Sequence, residues 1–353
     1  MAPFFSLEMK SSRKYRKKRA AQKFSPEELH HKIGVVYDHV SMILQFIIKF
    51  TVCTIIVLYT VIAIGLICIP SILPRIILLN DIRIPFYTDL TKPELLGLNS
   101  TKNLYIETED GRRLGAWYSY SGKTFKESFH DNRPAFLYLH GREGTRAVQH
   151  RIDLYEKLRE NGIHVLALDY GSFADSEGIP AEQAITQDAM TAYYWLKNRT
   201  KSSIFIYGHS LGTAVAVSAA ARIPKELKPD GIILQSPFNK LDEAFTQHPM
   251  GRPLTWIPPI AHLFVSTLRS QNITFSTESK ISDVQSPIII LHAQDDRSVP
   301  IHLGEKLYKT AKGCGKSVKF IAFDSKAGCG HNYIHEDKDF ISIIKNFISN
   351  CTR

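Results

Sequence analysis

Twenty consecutive residues without a charge, from Phe50 to Ile69, set the first limit on how this chain folds. As a helix the run is about 30 Å long, which matches the hydrocarbon core of a bilayer. It lacks the polar stripe that a helix packed on the side of a soluble domain shows. A buried core helix is the weaker alternative, and the run is too long and starts too late for a cleaved signal peptide. We therefore predict a transmembrane helix over residues 50–70.

The positive charge of the chain is concentrated before this run. The net charge is +10, and residues 1–49 hold ten Lys and Arg against four acidic residues. Because cations collect on the cytosolic side of a span, we expect a basic cytosolic tail over 1–49 and a single-pass protein whose remainder crosses the membrane. No basic stripe with interleaved aromatic residues occurs elsewhere, so no nucleic-acid partner is expected.

The far side of the membrane is also the side where glycans are attached. Four Asn-x-Ser/Thr sequons follow the predicted span, at Asn99, Asn198, Asn272 and Asn350. Cys314 and Cys329 would face an oxidising compartment there, where a disulfide between them is an open alternative to two free thiols.

Short apolar runs alternate with helical patterns in the rest of the chain. Residues 103–108 and 113–120 read as antiparallel edge strands, and six nearly unbroken apolar runs read as parallel strands buried on both faces. This alternation predicts an α/β fold with a mostly parallel sheet flanked by helices. A linker over 71–100 precedes the core (101–237 and 286–353), and the Pro-rich excursion 238–285 is expected to form a cap.

One strand-to-helix junction carries the sequence Gly208-His209-Ser210-Leu211-Gly212. This G-x-S-x-G pentapeptide is a weak signal alone, but it lies between an apolar strand and a run of small helix-forming residues. In that context it predicts a sharp turn that presents the Ser210 hydroxyl at the carboxyl edge of the sheet.

A serine nucleophile needs a base that is oriented by a carboxylate. Asp296 follows one predicted strand and His331 follows the last strand, so the sheet is expected to bring both to Ser210. Asp295 competes with Asp296, and His335 competes with His331; the D-x-x-V-P spacing favours Asp296, and flanking glycines favour His331. His140, His209 and His292 are interpreted as structural.

A developing oxyanion needs two N–H donors. We assign them to the backbone of Leu211 and, in the turn after residues 135–140, of Arg142. No residue cluster has metal-ligand spacing and no Gly-rich phosphate loop occurs, so neither a metal nor a cofactor is predicted.

These motifs resemble the α/β-hydrolase superfamily. Stretches from Arg83 to the C-terminus, among them RIPFYTDLTKP (83–93), LHAQDDRSVP (291–300) and GHNYIHE (330–336), resemble more closely the membrane-anchored lysophosphatidylserine and monoacylglycerol lipases. The resemblance implies the α/β-hydrolase fold, a Ser210–His331–Asp296 triad and a lumenal active site in the endoplasmic reticulum. In two loops the chain departs from the family: at Arg142 and Glu143, where a small polar residue is usual after His-Gly, and at 170–176.

The implied activity is hydrolysis of the acyl ester of a lysophospholipid or a monoacylglycerol taken from the bilayer. The cap would supply an acyl groove near Trp256, Leu263 and Phe264. An acyl-protein thioesterase, a serine peptidase and, least favoured, a non-catalytic adaptor are the alternatives. The sequence does not indicate an oligomeric state.

Overall fold

A single long helix, α1 (Pro26–Cys68), opens the part of the chain that the structure describes. The structure is a computed structural model that describes residues 25–122 and 124–352, and the basic run 11–20 lies outside them. Met1–Ile62 and Ala63–Arg353 form separate units, which we describe individually. α1 is long and apolar enough to cross a membrane, and none of its most apolar 18-residue window is buried within the described residues.

The helix begins well before the predicted span because its start is capped. The Ser25 hydroxyl accepts the Glu28 N–H at 3.1 Å, and the Glu28 carboxylate accepts the Ser25 N–H at 3.0 Å. This reciprocal pair, with Pro26 in the first helical turn, satisfies N–H groups that a helix start leaves free. The uncharged run 50–69 therefore lies almost entirely in the C-terminal part of a longer helix, and α1 ends at Cys68, before Pro70. The membrane span over 50–70 stays a prediction.

The remaining chain builds one eight-stranded sheet. Its strand order is β1-β2-β4-β3-β5-β6-β7-β8. β1 pairs antiparallel with β2, β2 pairs antiparallel with β4, and all other neighbours are parallel. The strands are β1 (Thr101–Glu107), β2 (Arg113–Ser119), β3 (Ala135–Leu139), β4 (His164–Leu168), β5 (Ile204–His209), β6 (Gly231–Gln235), β7 (Ile288–Ala293) and β8 (Val318–Phe323). The predicted mostly parallel α/β fold is confirmed.

Helices connect the strands and cover the sheet. They are α2 (Leu73–Leu78), α3 (Gln149–Glu160), α4 (Glu182–Lys197), α5 (Leu211–Arg222), α6 (Leu241–Gln247), α7 (Gly251–Thr255), α8 (Pro258–Ser270), α9 (Thr277–Lys280), α10 (Ile301–Gly313) and α11 (Phe340–Cys351). Every residue of β3 to β7 is buried, whereas edge strand β8 is mostly half-exposed. Continuous apolar runs therefore mark the strands that have helices on both faces.

Helices α6 to α9 fill the long connection between β6 and β7. The Phe245 ring of α6 stacks on the Phe264 ring of α8 with 4.5 Å between ring centroids. Stacked, buried aromatic rings join these helices into one packed layer.

All five cysteines, Cys314 and Cys329 included, are free thiols. The four sequon asparagines are exposed.

Helix α5 lies unusually close to the sheet at Gly212. A Cβ atom added there would overlap the carbonyl oxygen of Leu139 in β3. We predict that Gly212→Ala lowers the free energy of unfolding by at least about 3 kcal/mol, since neither backbone can move without breaking the sheet. Gly313→Ala is the matched control, because a Cβ atom at Gly313 meets nothing within 4 Å. Denaturant unfolding of the detergent-solubilised chain measures both, and equal stability of the two variants would contradict the prediction.

Candidate active site

Ser210 lies at the junction of β5 and α5 in a strained backbone conformation. Its φ is 53° and its ψ is −118°. Positive φ is unfavourable for a residue with a side chain, so the surrounding structure must hold it. The Ser210 N–H donates to the carbonyl oxygen of Gln235 in β6 at 2.9 Å, which fixes the turn. The turn places Ser210 on the wall of a cavity.

Asp296 and His331 meet although 35 residues separate them. His331 Nδ1 lies 2.7 Å from Asp296 Oδ2, and Asp296 Oδ1 accepts the N–H groups of Ser298 and Val299, each at 2.9 Å. Since Nδ1 faces the carboxylate, Nε2 is the ring nitrogen left for another partner. His331 lines the same cavity as Ser210.

Within the described chain, no hydrogen bond joins His331 to the Ser210 hydroxyl. Base-to-nucleophile bonds often shorten only when substrate binds, so this geometry is compatible with proton transfer.

Asp296 is buried, with a relative exposure of 6%. Burial alone would raise its pKa, but the charge of His331 and hydrogen bonds from His292 and His331 lower the pKa below the usual 3.8. Favourable partners of the charged form therefore outweigh the loss of solvation. The carboxylate is therefore ionised at neutral pH.

Asp295 and His335, the alternatives to Asp296 and His331, have other positions in the structure. Both oxygens of the Asp295 carboxylate accept the Gly330 N–H, each at 3.1 Å. It thus holds the backbone of the loop, while its neighbour Asp296 holds the ring of His331. His335 is buried in the turn Ile334–Glu336 and does not line the cavity that contains Ser210.

The remaining histidines support the loops around the site. His292 Nε2 contacts the Val299 carbonyl oxygen at 2.8 Å and lies 3.5 Å from Asp296 Oδ2. His209 Nε2 contacts the His331 carbonyl oxygen at 3.0 Å. Sequence reasoning treated both as packing residues and missed their contacts with Asp296 and with the His331 loop. The only signal for His292 is its position at the end of β7, four residues before Asp296.

The turn after β3 carries the Arg142 N–H. No acceptor for this amide occurs in residues 25–122 or 124–352. The Leu211 N–H is the first of α5 and has no intrahelical acceptor. The two donors that the sequence indicated are therefore available for a ligand oxygen.

Two buried side chains that the sequence did not reveal hold the turn after β3. The Tyr170 hydroxyl donates to the His140 carbonyl oxygen at 2.9 Å. The Arg151 guanidinium donates to the carbonyl oxygens of Thr145 and Glu143 at 2.7 and 2.5 Å.

Two adjoining cavities lie at the β5–α5 junction, the first lined by Ser210 and the second by Leu211. The first, which we call the polar cavity, has ten polar or charged side chains among its fourteen lining residues, including Ser210 and His331. The second, the apolar cavity, has seven apolar residues among ten: Ile77, Leu211, Phe238, Leu241, Ala244, Phe245 and Val299. Arg142, His248 and Ser298 line both cavities, so these residues mark where the two meet.

The predicted acyl-groove residues do not line either cavity. Trp256 is 79% exposed, Leu263 is half-buried, and Phe264 is buried behind Phe245. The apolar wall next to Ser210 comes instead from α2, α6 and the segment after β6. Apolar character alone did not indicate which helix faces turn towards this cavity.

Comparisons with known proteins agree with this geometry. The family model described as "Serine aminopeptidase, S33" matches residues 130–277. The chain is 35% identical over 296 residues to lysophosphatidylserine lipase ABHD12 of Danio rerio, covering 79% of this chain and 78% of that protein. It is 36% identical to the Rattus norvegicus protein of the same name, covering 79% and 74%. The chain belongs to the ABHD12 family.

The fold of this ABHD12-family member also occurs in solved structures. The esterase Pf2001 of Pyrococcus furiosus superposes with a TM-score of 0.56 at 19% identity, covering 73% of this chain and 92% of that one. The resemblance read from the sequence, the α/β-hydrolase fold and the assignment to the serine hydrolases are confirmed. The apolar helix α1 indicates membrane anchoring.

The depressed pKa of Asp296 has a consequence for stability. A carboxyl group whose folded-state pKa is lowered stabilises the fold above its unfolded-state pKa and loses this effect as pH falls towards the folded-state value. We therefore expect the difference in unfolding free energy between the wild type and Asp296→Asn to shrink as the pH falls below about 4, where the carboxyl group becomes protonated in the unfolded state. Denaturant titrations from about pH 7 down to about pH 3 measure the difference. A difference that grows with acidity would contradict this account of Asp296.

Proposed function

We propose that this chain is a membrane-anchored serine lipase that hydrolyses the acyl ester of lysophospholipids, lysophosphatidylserine in particular, and of monoacylglycerols. The observation that carries the proposal is the hydrogen bond of 2.7 Å between Asp296 and His331 on a cavity wall shared with Ser210. The names of the relatives from Danio rerio and Rattus norvegicus support the substrate class.

Hydrolysis proceeds in two steps. His331 Nε2 removes the proton of Ser210 while Oγ attacks the acyl carbonyl carbon, and Asp296 stabilises the imidazolium that forms. The N–H groups of Leu211 and Arg142 bind the oxyanion of the tetrahedral intermediate. His331 then protonates the departing glycerol oxygen, which leaves an acyl-Ser210 ester. Water attacks this ester with the same proton relay and releases the fatty acid.

The two cavities suit the two ends of such a substrate. The apolar cavity, whose walls include Ile77, Phe238 and Phe245, suits the part of a single acyl chain next to the ester. The alcohol side of the ester would occupy the polar cavity beside His331. We propose residues 238–285 as a cap that supplies most of the acyl wall, with Phe264 supporting Phe245 from behind rather than touching the chain.

The nucleophile assignment predicts that Ser210→Ala abolishes both covalent labelling by a fluorophosphonate probe and release of oleate from 1-oleoyl lysophosphatidylserine. Removal of the hydroxyl eliminates the covalent intermediate, so the rate is expected to fall by a factor of at least about 10³. Ser218→Ala, a buried serine on α5, is the control and should label normally. Continued labelling of Ser210→Ala would disprove the assignment. Turnover of acyl-cysteine peptides or of aminoacyl amides in place of lipid esters would identify a thioesterase or a peptidase.

We propose that the membrane is that of the endoplasmic reticulum, with the N-terminus cytosolic and the hydrolase domain lumenal. The basic residues before α1 and four exposed sequons after it support this orientation.

The orientation predicts that endoglycosidase treatment increases the electrophoretic mobility of the protein and that Asn99→Gln removes one glycan. In sealed microsomes, protease should remove only the N-terminal tail. Digestion of the hydrolase domain without detergent would show the opposite orientation. Neither result would affect the nucleophile assignment.

A further inference from the structure

Two arginines on the polar cavity have no carboxylate partner. Arg142 and Arg151 both line it, and neither forms an ion pair with any residue in 25–122 or 124–352. Arg142 is half-buried, and within the described residues the one hydrogen bond of its guanidinium is to the Met250 sulfur, at 3.5 Å. Arg151 has a relative exposure of 2%, donates to two neutral carbonyl groups, and its Nε is buried without a partner.

This arrangement differs from that of the other large buried arginine of the core. Arg146 is fully buried and forms ion pairs with Asp169 and Asp175. Buried positive charge normally acquires such partners, because an uncompensated charge is expensive to remove from water. Two guanidinium groups without a carboxylate partner on one cavity therefore favour an anionic ligand.

The other ionisable groups on the cavity neutralise this charge only in part. Glu143 is the one acid among the fourteen lining residues; it is exposed, and its charge acts on Arg142. Two acids close to the site are already bound, Asp296 to His331 and Asp295 to the Gly330 N–H. Burial, and after it the charge of Arg151, lower the pKa of His150 to about 3. Burial and then the charge of Arg142 lower the pKa of His248. His209 and His331, the remaining titratable lining residues, add no negative charge. The lining side chains therefore carry more positive than negative charge at neutral pH, two guanidinium groups against the Glu143 carboxylate.

The position of Arg142 brings this positive charge next to the place where the substrate ester would bind. Arg142 lines the polar and the apolar cavity, next to the point where an ester carbonyl would meet Ser210. With the acyl chain in the apolar cavity, the group that follows the ester oxygen enters the polar cavity. A guanidinium presents a planar fork of donors that matches two oxygens of a phosphate.

We propose that Arg142, with Arg151 behind it, forms a subsite for the phosphate of a single-chain phospholipid headgroup. The subsite makes the enzyme prefer anionic lysophospholipids to neutral monoacylglycerols. This inference depends on the proposed lipase function, because it assigns the alcohol side of that substrate to the polar cavity.

The test uses the full-length protein in neutral detergent micelles and three oleoyl esters: lysophosphatidylserine, lysophosphatidic acid and monooleoylglycerol. The quantity compared is the ratio of kcat/KM for each phosphate ester to kcat/KM for monooleoylglycerol. A substitution that disturbs the Arg142 backbone N–H lowers kcat/KM for all three esters equally, because all three use this donor. Such an effect therefore does not change the ratio.

In Arg142→Gln we expect both ratios to fall at least tenfold, mainly through KM, and in Arg142→Lys we expect partial recovery. Arg222→Gln, an exposed arginine at the end of α5, should leave the ratios unchanged. Raising the salt concentration should reduce the ratios of the wild type more than those of Arg142→Gln.

Fluorophosphonate labelling of the same samples separates the two proposals. A wild type that neither labels at Ser210 nor hydrolyses any of the esters would refute the lipase function. Normal labelling with unchanged ratios in Arg142→Gln would refute only the phosphate subsite. A fall confined to lysophosphatidylserine would also overturn it, because the arginine would then recognise the serine carboxylate.

Discussion

The strained backbone of Ser210 is the constraint around which the rest of the hydrolase domain is arranged. A φ of 53° is unfavourable for serine, and it persists because β5 and α5 are fixed on both sides of it. The Gln235 carbonyl oxygen holds the Ser210 N–H, and the absence of a side chain at Gly212 lets α5 lie directly against β3. The fully buried parallel strands provide the rigidity that keeps the hydroxyl in one place.

Two consecutive carboxylates divide the task of positioning His331. Asp296 binds the imidazole, whereas Asp295 binds the backbone N–H of Gly330, one residue earlier. His209 adds a contact to the His331 carbonyl oxygen. The loop after β8 contains Gly328 and Gly330, both with positive φ, and between them Cys329 is buried in the hydrophobic core. Core packing at Cys329 and polar contacts from Asp295, Asp296 and His209 together hold the loop and the ring of His331.

The predictable features of this molecule are those set by local pattern. Unbroken apolar runs located the buried strands, and the order of serine, acid and histidine along the chain indicated which strand ends would meet. The start of α1 is also encoded locally, because Ser25 and Glu28 have capping-box spacing. The prediction of the span used only the absence of charge in residues 50–69. The supports from Tyr170, Arg151 and His292 depend on contacts between segments that a single sequence does not pair.

The residues that line the apolar cavity also could not be predicted from the sequence. Trp256 and Leu263 have the composition of a lipid-binding surface, yet Phe238, Phe245 and Ile77 line the apolar cavity. Which face of a short helix turns inward is decided by how α6 and α8 pack, and that packing rests on the Phe245–Phe264 stack. Composition predicts that an insertion is apolar, but only tertiary packing selects the residues that line the cavity.

In the proposed site Arg142 has two roles, one for its backbone and one for its side chain. The proposed oxyanion site needs only the backbone N–H, whose direction is set by the turn that Arg151 and Tyr170 hold. The side chain is therefore free to differ without moving the donor. In the proposed subsite, a substitution of this side chain would alter which headgroup is attracted and would leave the proposed proton relay of Ser210, His331 and Asp296 in place. Specificity and catalysis thus become separable because one uses the side chain and the other uses the main chain.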